Sequence, residues 1–133
     1  MPFRVERIDH VVLRVRDTER MVRFYEQALG FKVERRLERI GLVQLRAGDS
    51  LLDLVPGTPA KDTSNMDHLA FKVAPFDRDA IVRQLSTAGI TVGETQERYG
   101  AEGTGPSIYF DDPEGNQIEL KGPSHTPAKR PGA

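Results

Sequence analysis

The strongest constraint on this 133-residue chain is an internal repeat. Ile8-Asp9-His10-Val11-Val12-Leu13-Arg14-Val15 near the N-terminus is echoed by Met66-Asp67-His68-Leu69-Ala70-Phe71-Lys72-Val73 halfway along. Each copy opens a strand-like run and leads into a helical pattern. Each half then closes on a short strand that carries a carboxylate, Leu51-Leu52-Asp53-Leu54 in the first and Gln117-Ile118-Glu119-Leu120 in the second. A duplicated fold with one His and one carboxylate per copy supplies the parts of a metal site.

Turn and cap signals divide each half in the same order. A strand over residues 8–15 is followed by a helix that starts at Asp17-Thr18. That helix carries Met21, Val22, Phe24, Tyr25, Ala28 and Leu29 at helical spacing and stops at Gly30. Strands are predicted at 31–38, 42–46 and 51–55, punctuated by Gly41 and Gly48-Asp49. In the second half a strand spans about 67–73, and a helix with Ile81, Val82 and Leu85 on one side ends at Gly89. Strands follow at about 91–96, 107–111 and 116–120. The Gly-rich run 100–105 leads into no helix and matches no phosphate-binding fingerprint, so it reads as a mobile lip over a cavity. The chain is thus a single α+β domain of two βαβββ modules. Module 1 covers about 7–55, a linker 56–65, module 2 about 66–121, and a Pro-rich tail over 122–133 is expected to be disordered.

Composition narrows the functional classes. The formal net charge of −1 gives no general pull toward nucleic acid or an anionic membrane. No apolar run approaches a membrane span, and the N-terminus lacks the long apolar stretch of a signal peptide. The chain has no cysteine, which removes disulfides, thiolate ligands and a cysteine nucleophile and fits a cytoplasmic protein. Any metal must be held by nitrogen and oxygen.

Strand parity shows where the polar groups collect, because successive side chains point to opposite faces. One face carries Val11, Leu13, Val15, Leu69, Phe71, Val73, Ile108, Phe110, Ile118, Leu120, Leu52 and Leu54, which can pack under the helices. The other collects His10, Arg14, Asp53, His68, Tyr109, Gln117 and Glu119. A curved sheet with helices outside and a polar concave face satisfies both. Imidazole and carboxylate donors suit Fe(II), Mn(II), Ni(II), Co(II) or Zn(II). His10, His68 and Glu119 form the ligand set, with Asp53 either a fourth ligand or too short to reach. Arg14 is the candidate anchor for a substrate carboxylate or phosphate. Tyr109 is a candidate donor to an oxyanion, and Gln117 shares that face.

These residues resemble the vicinal oxygen chelate superfamily, which includes glyoxalase I, methylmalonyl-CoA epimerase, extradiol dioxygenases, and the fosfomycin and bleomycin resistance proteins. The matching pieces are Asp9 to Val15, Phe24 to Phe31, Asp67 to Phe71 and Tyr109 to Leu120, spread over residues 8–121. The resemblance implies paired modules forming a cup-shaped mixed sheet around a divalent metal. It places ligands at His10, His68 and Glu119, and at Asp53 where glyoxalase I usually has Glu or Gln. The fosfomycin and extradiol branches need only the first three. It also implies a homodimer, often with His10 and Asp53 of one subunit facing His68 and Glu119 of the other. The expected activity is a glyoxalase-like lyase or isomerase acting on a small substrate bound through two adjacent oxygens, with Glu119 or a metal-bound water moving a proton. An anionic compound or a thiol conjugate is the expected substrate type. The alternatives are an Fe(II) dioxygenase, a fosfomycin-type thiol transferase and a metal-free drug-binding protein. Too few aromatics and no third ordered His weigh against the last and the first of these.

Overall fold

The computed structural model describes residues 1–57 and 65–132, so positions 58–64 of the expected linker lie outside the described residues. Module 1 consists of strand β1 (Arg4–Val15), helix α1 (Thr18–Leu29), β2 (Lys32–Leu37), β3 (Leu42–Ala47) and β4 (Ser50–Pro56). A single 3-10 turn, Glu38–Ile40, lies between β2 and β3. Module 2 repeats the order with β5 (Met66–Ala74), α2 (Arg78–Thr87), β6 (Gln96–Gly100), β7 (Gly103–Asp111) and β8 (Gln117–Lys121), followed by a short β9 (Thr126–Pro127). Both helices begin on an Asp cap: Asp17 accepts from the Arg20 N–H at 3.1 Å and Asp77 from the Ala80 N–H at 3.2 Å.

The strands form one mixed sheet in the order β2-β3-β4-β1-β5-β8-β7-β6, with β9 added on β7. Each module places its first strand parallel to its last, β1 with β4 and β5 with β8. The modules join where β1 and β5 run antiparallel, so the two repeated Asp-His pairs lie on neighbouring central strands. The apolar face splits into one core per module, as parity predicts. Leu13, Val15, Leu45 and Leu54 pack with Val22 and Tyr25 of α1. Phe71, Val73, Ile108 and Leu120 pack with Ile81 and Leu85 of α2. Burying each such side chain stabilises the fold by about 1.5–3 kcal/mol. Among the described residues no helix is long and apolar enough to cross a membrane.

The sheet curls until its two ends meet. Glu34 of β2, its side chain fully buried, takes both ends of the Arg46 guanidinium at 2.8 Å and also the Tyr99 hydroxyl at 2.7 Å. Arg46 donates onward to the Ala101 carbonyl at 2.9 Å. These side chains close the seam between the β2–β3 hairpin and the β6–β7 hairpin without backbone pairing.

Three sequence expectations need correction. Residues 91–95 do not join the sheet, and β6 starts at Gln96. Arg78 of α2 instead binds the Gly93 carbonyl and the Thr95 hydroxyl at 2.9 and 3.0 Å, so this stretch is held by a side chain rather than by a ladder. The Gly-rich run is a tight hairpin, not a lip: β6 and β7 pair through it, and the Ala101 N–H donates to buried Asp9 at 3.0 Å. Its glycines permit close approach. A Cβ on Gly100 would lie 2.4 Å from an Asp9 oxygen, and one on Gly103 would lie 1.9 Å from the Thr126 carbonyl oxygen. The tail is also placed. Thr126–Pro127 pairs with β7, the His125 ring meets Glu97 at 3.1 Å, and the Lys129 N–H donates to the Tyr99 hydroxyl at 2.9 Å. Arg130 and Gly132 reach Asp49 and Lys32 of module 1 at 3.4 and 2.6 Å, so the tail straps the seam. Proline content suggested disorder, but the glycine-lined groove supplies an edge with which the tail can pair.

Gly103→Ala is therefore expected to detach the tail, because φ is +116° and no space exists for a methyl group. A loss of about 2–4 kcal/mol in chemical denaturation, with faster proteolysis after Gly122, is the expected outcome. Unchanged stability would mean that the strap carries no load.

Candidate metal centre

The register of the four central strands assembles the site. Ala70 of β5 lies opposite His10 on one side and opposite Glu119 on the other. Its small side chain leaves room between them, and Ala70 itself is fully buried. The same lane in module 1 is occupied by Val12, which lies opposite His68 and Asp53. Tyr109 of β7 lies opposite Glu119.

In this arrangement three donor atoms converge. His10 Nε2 lies 3.3 Å from His68 Nε2, and Glu119 Oε1 lies 3.3 Å from the first and 3.1 Å from the second. His10 and Glu119 are buried and His68 is nearly so. One chain supplies all three, so the shared-subunit arrangement is not needed to bring them together.

The preceding residue in each repeat fixes its imidazole. Asp9 Oδ2 lies 2.7 Å from His10 Nδ1, and Asp67 Oδ2 lies 2.7 Å from His68 Nδ1. A carboxylate only accepts, so each Nδ1 carries a proton, and each ring, once neutral, presents its Nε2 lone pair inward. Asp9 is braced by the Ala101 N–H, and Asp67 by Arg14 at 2.6 Å. Glu119 Oε2 accepts from the Ser107 hydroxyl at 2.7 Å, while buried Oε1 has no hydrogen-bond donor of its own.

Three lone-pair atoms facing one another in a buried place repel unless a cation stands among them. An ion about 2.1 Å from each donor sets them about 3.0 Å apart at octahedral angles and about 3.4 Å apart at tetrahedral ones. The observed spacing falls between these values. The orphaned Oε1, the donor chemistry and the carboxylate behind each imidazole all fit a divalent metal. His10, His68 and Glu119 would hold it and leave adjacent positions open.

Without the ion, protons take its place. Burial pulls the His10 imidazolium down, but hydrogen bonds to Asp9 and Glu119 outweigh this and push it up to about 10. His68 is raised in the same way, against its own burial, by Glu119 and Asp67. Glu119, despite burial, is held well below the usual carboxylate range by the two imidazoles.

The remaining predicted residues divide. Asp53 lines the cavity beside the cluster but stands outside the three-residue group. The Gln44 amide donates to its Oδ2 at 3.0 Å, its Oδ1 has no partner, and burial pushes its carboxyl up to about 6. Asp is shorter than Glu, and Val12 fills the lane that Ala70 leaves open in module 2. Tyr109 lines the cavity, with its ring centroid 5.7 Å from that of His68. Burial, and then the Glu119 charge, raise its hydroxyl well above the usual phenol value. Arg14 does not line this cavity; it pairs with Asp67 and so braces His68, a candidate ligand, from behind. Gln117 is exposed at the start of β8, outside the cavity lining.

The cavity over the cluster holds about 500 Å³ and is walled by both modules. The lining residues that sequence reasoning missed include Arg35, Arg39 and Arg98, and the Gln44 that holds Asp53. Arg35 and Gln44 are on neighbouring strands whose pairing shifts register between Val33 and Arg35, which hides their shared face from simple alternation.

Residues 7–120 match the Glyoxalase/Bleomycin resistance protein/Dioxygenase superfamily, and the chain belongs to that family. It is 33% identical over 122 residues to virulence protein STM3117 of Salmonella typhimurium strain LT2, covering 87% of this chain and 83% of that one. It is 29% identical over 121 residues to the glutathione transferase FosA of Serratia marcescens, covering 87% and 80%. The fold superimposes on the Mn(II)-bound glyoxalase of Novosphingobium aromaticivorans with a TM-score of 0.72 at 26% identity, over 92% of this chain and 39% of that one. Related proteins therefore include enzymes, and one of them holds a metal.

Two outcomes are expected. Ala70→Leu should fill the gap between His10 and Glu119 and abolish stoichiometric Zn(II) uptake while the circular dichroism of the fold persists; full uptake would refute the lane argument. Since His10 titrates near 10 in the metal-free protein, it is protonated at pH 7.5 and must lose that proton when metal enters. Zn(II) affinity should thus rise with pH across 6–9, and calorimetry in buffers of different ionisation enthalpy should show proton release. An isotherm independent of buffer would contradict this.

Proposed function

We propose that this protein is a metal-dependent, glyoxalase-like lyase or isomerase. It takes a small oxygenated substrate that binds the ion through two adjacent oxygens. The observation that carries this reading is the division of labour among its carboxylates: Glu119 sits in the donor cluster, while Asp53 faces the same cavity with a free oxygen. A divalent ion in the cluster supplies Lewis acidity, which polarises a carbonyl and stabilises the charge that develops on it.

The chain's own residues supply the rest. Asp53 removes a proton from the carbon beside that carbonyl and returns it, and Gln44 keeps its carboxylate oriented through Oδ2. A carboxyl raised to about 6 is closer to neutrality than an ordinary one and so better matched to proton transfer. Tyr109 keeps its hydroxyl proton and donates it as a hydrogen bond to a substrate oxygen. This assignment shifts the proton-moving role from Glu119 to Asp53, because Glu119 stands in the donor cluster that would hold the ion.

A second reading is a transferase of the FosA kind, in which a thiol or water adds to the substrate. The sequence similarity to the glutathione transferase FosA favours it. A homodimer and a cytoplasmic location remain part of the proposal on the strength of the resemblance.

Exchange of solvent deuterium into 2-hydroxy and 2-oxo compounds, followed by NMR with metal-loaded protein, tests the assignment. Glu119→Gln should lose both metal and exchange. Asp53→Asn should keep the metal and lose about 10²–10⁴-fold in rate, the usual worth of a positioned base. An Asp53→Asn protein that exchanges at full rate would remove Asp53 from the mechanism. Consumption of an epoxide together with a thiol, without exchange, would favour the transferase.

A further inference from the structure

Three arginines line the cavity from both modules: Arg35 on β2, Arg39 in the 3-10 turn and Arg98 on β6. Among the described residues none of the three has a carboxylate within ion-pair distance, whereas Arg7, Arg14, Arg36, Arg46 and Arg130 all do. The cavity's own acids have other partners, although Asp53 keeps one oxygen free. Asp67 is held by Arg14 and His68, Glu97 by His125, Glu119 by the two imidazoles and Asp53 by Gln44.

Two of these guanidiniums are held in place by rings. The Arg35 Cζ lies 4.7 Å from the Tyr99 ring centroid, and its Nη1 donates to Gln44 at 3.0 Å. The Arg98 Cζ lies 5.9 Å from the Tyr109 centroid, and its Nη1 donates to the Glu97 carbonyl at 2.9 Å. The backbone carbonyl of Arg98 is fixed in turn by the buried Lys121 ammonium at 2.8 Å. A guanidinium resting on an aromatic ring retains in-plane N–H groups for a ligand. Three cations that share a cavity and have no carboxylate within ion-pair distance offer their charge to an anionic ligand.

We infer that this cavity contains an anion subsite, formed chiefly by Arg98 of module 2 and Arg35 of module 1, for a second acidic group on the substrate. The inference builds on the proposed function only for the substrate's other end, the oxygen pair at the metal. The Tyr109 ring centroid lies 5.7 Å from that of His68 and 5.9 Å from the Arg98 Cζ, so one side chain neighbours both ends of the substrate's site. The substrate class is a short hydroxy or oxo acid that carries a distal carboxylate or phosphoryl group. A chelating fragment alone would leave most of the 500 Å³ cavity unfilled.

Calorimetric titration of Zn(II)-loaded protein with matched probes tests this. Glycerate and 3-phosphoglycerate share a chelating end and differ in a phosphate; 2-hydroxybutyrate and 2-hydroxyglutarate differ in a carboxylate. At least one charged probe should bind about tenfold or more tightly than its neutral-tailed partner, as a bidentate charge-assisted contact implies. The arm with the larger ratio identifies the distal group as phosphoryl or carboxylate. Arg98→Gln and Arg35→Gln should each bring that ratio toward one, with thermal melts confirming the fold. Equal affinities within both pairs, or a preference that survives both substitutions, would overturn the subsite. Repeating the titrations after removal of the metal keeps the two ideas separate. A preference that still depends on the arginines there supports the subsite. Glycerate binding that is no better with Zn(II) than without it counts against the metal-chelate reading alone.

Discussion

Two short hydrogen bonds, from His10 to Asp9 and from His68 to Asp67, govern this molecule. Each is made within an adjacent pair in the chain, and each commits one ring nitrogen to a carboxylate at 2.7 Å. The other nitrogen is left to face inward. Two inward imidazoles and a buried glutamate would be costly on their own, since an unpaired buried charge costs several kcal/mol. The structure confines that cost to one point, where a cation or protons can offset it. Arg14 and Ala101 serve the arrangement from behind by holding the carboxylates that hold the imidazoles, and Ser107 holds Glu119 itself.

The two modules are related by repetition, but the site is not symmetric. Val12 and Ala70 occupy equivalent positions, as do Asp53 and Glu119. The smaller residue sits in module 2 beside the longer carboxylate, and the larger residue sits in module 1 beside the shorter one. The second carboxylate can therefore enter the cluster, and the first stays at its edge facing the cavity. A difference of two methyl groups at one position and one methylene at the other separates a candidate ligand from a candidate base.

Local and alternating features were legible in the sequence: the repeat, both helices, most strands, the two cores and the three converging donors. Each depends on residues whose spacing is set by strand or helix geometry. What the sequence concealed depends on contacts between distant segments. The Glu34–Arg46–Tyr99 closure spans 65 residues from Glu34 to Tyr99, and nothing local announces it. The glycines at 100 and 103 looked like a flexible loop, because close packing and flexibility select the same residue. Arg14 was assigned to the substrate because its parity follows His10. The register shift between Val12 and Leu13 interrupts that alternation, and Asp67 captures the guanidinium. The cavity arginines were hidden among the many charged residues of edge strands, where a binding cation and a solvated one have the same sequence signature.

Neither module can hold an ion alone, since each supplies one imidazole and one carboxylate. The donor set exists only while β1 lies beside β5, so an ion held there would make metal affinity and module docking one equilibrium. An ion that binds only the docked state stabilises it by about 2.7 kcal/mol at a hundred times its dissociation constant. That is a large share of the 5–15 kcal/mol or so that usually separates folded from unfolded domains. The strap from module 2 to Asp49 and Lys32 acts in the same direction without metal, by holding the seam closed. An ion bound there would thus add to the ties across the two halves that the strap and the Glu34–Tyr99 closure already make. A substitution that loosens the β1–β5 pairing without touching a ligand should weaken metal binding just as losing the metal should loosen the pairing, because thermodynamic coupling works in both directions.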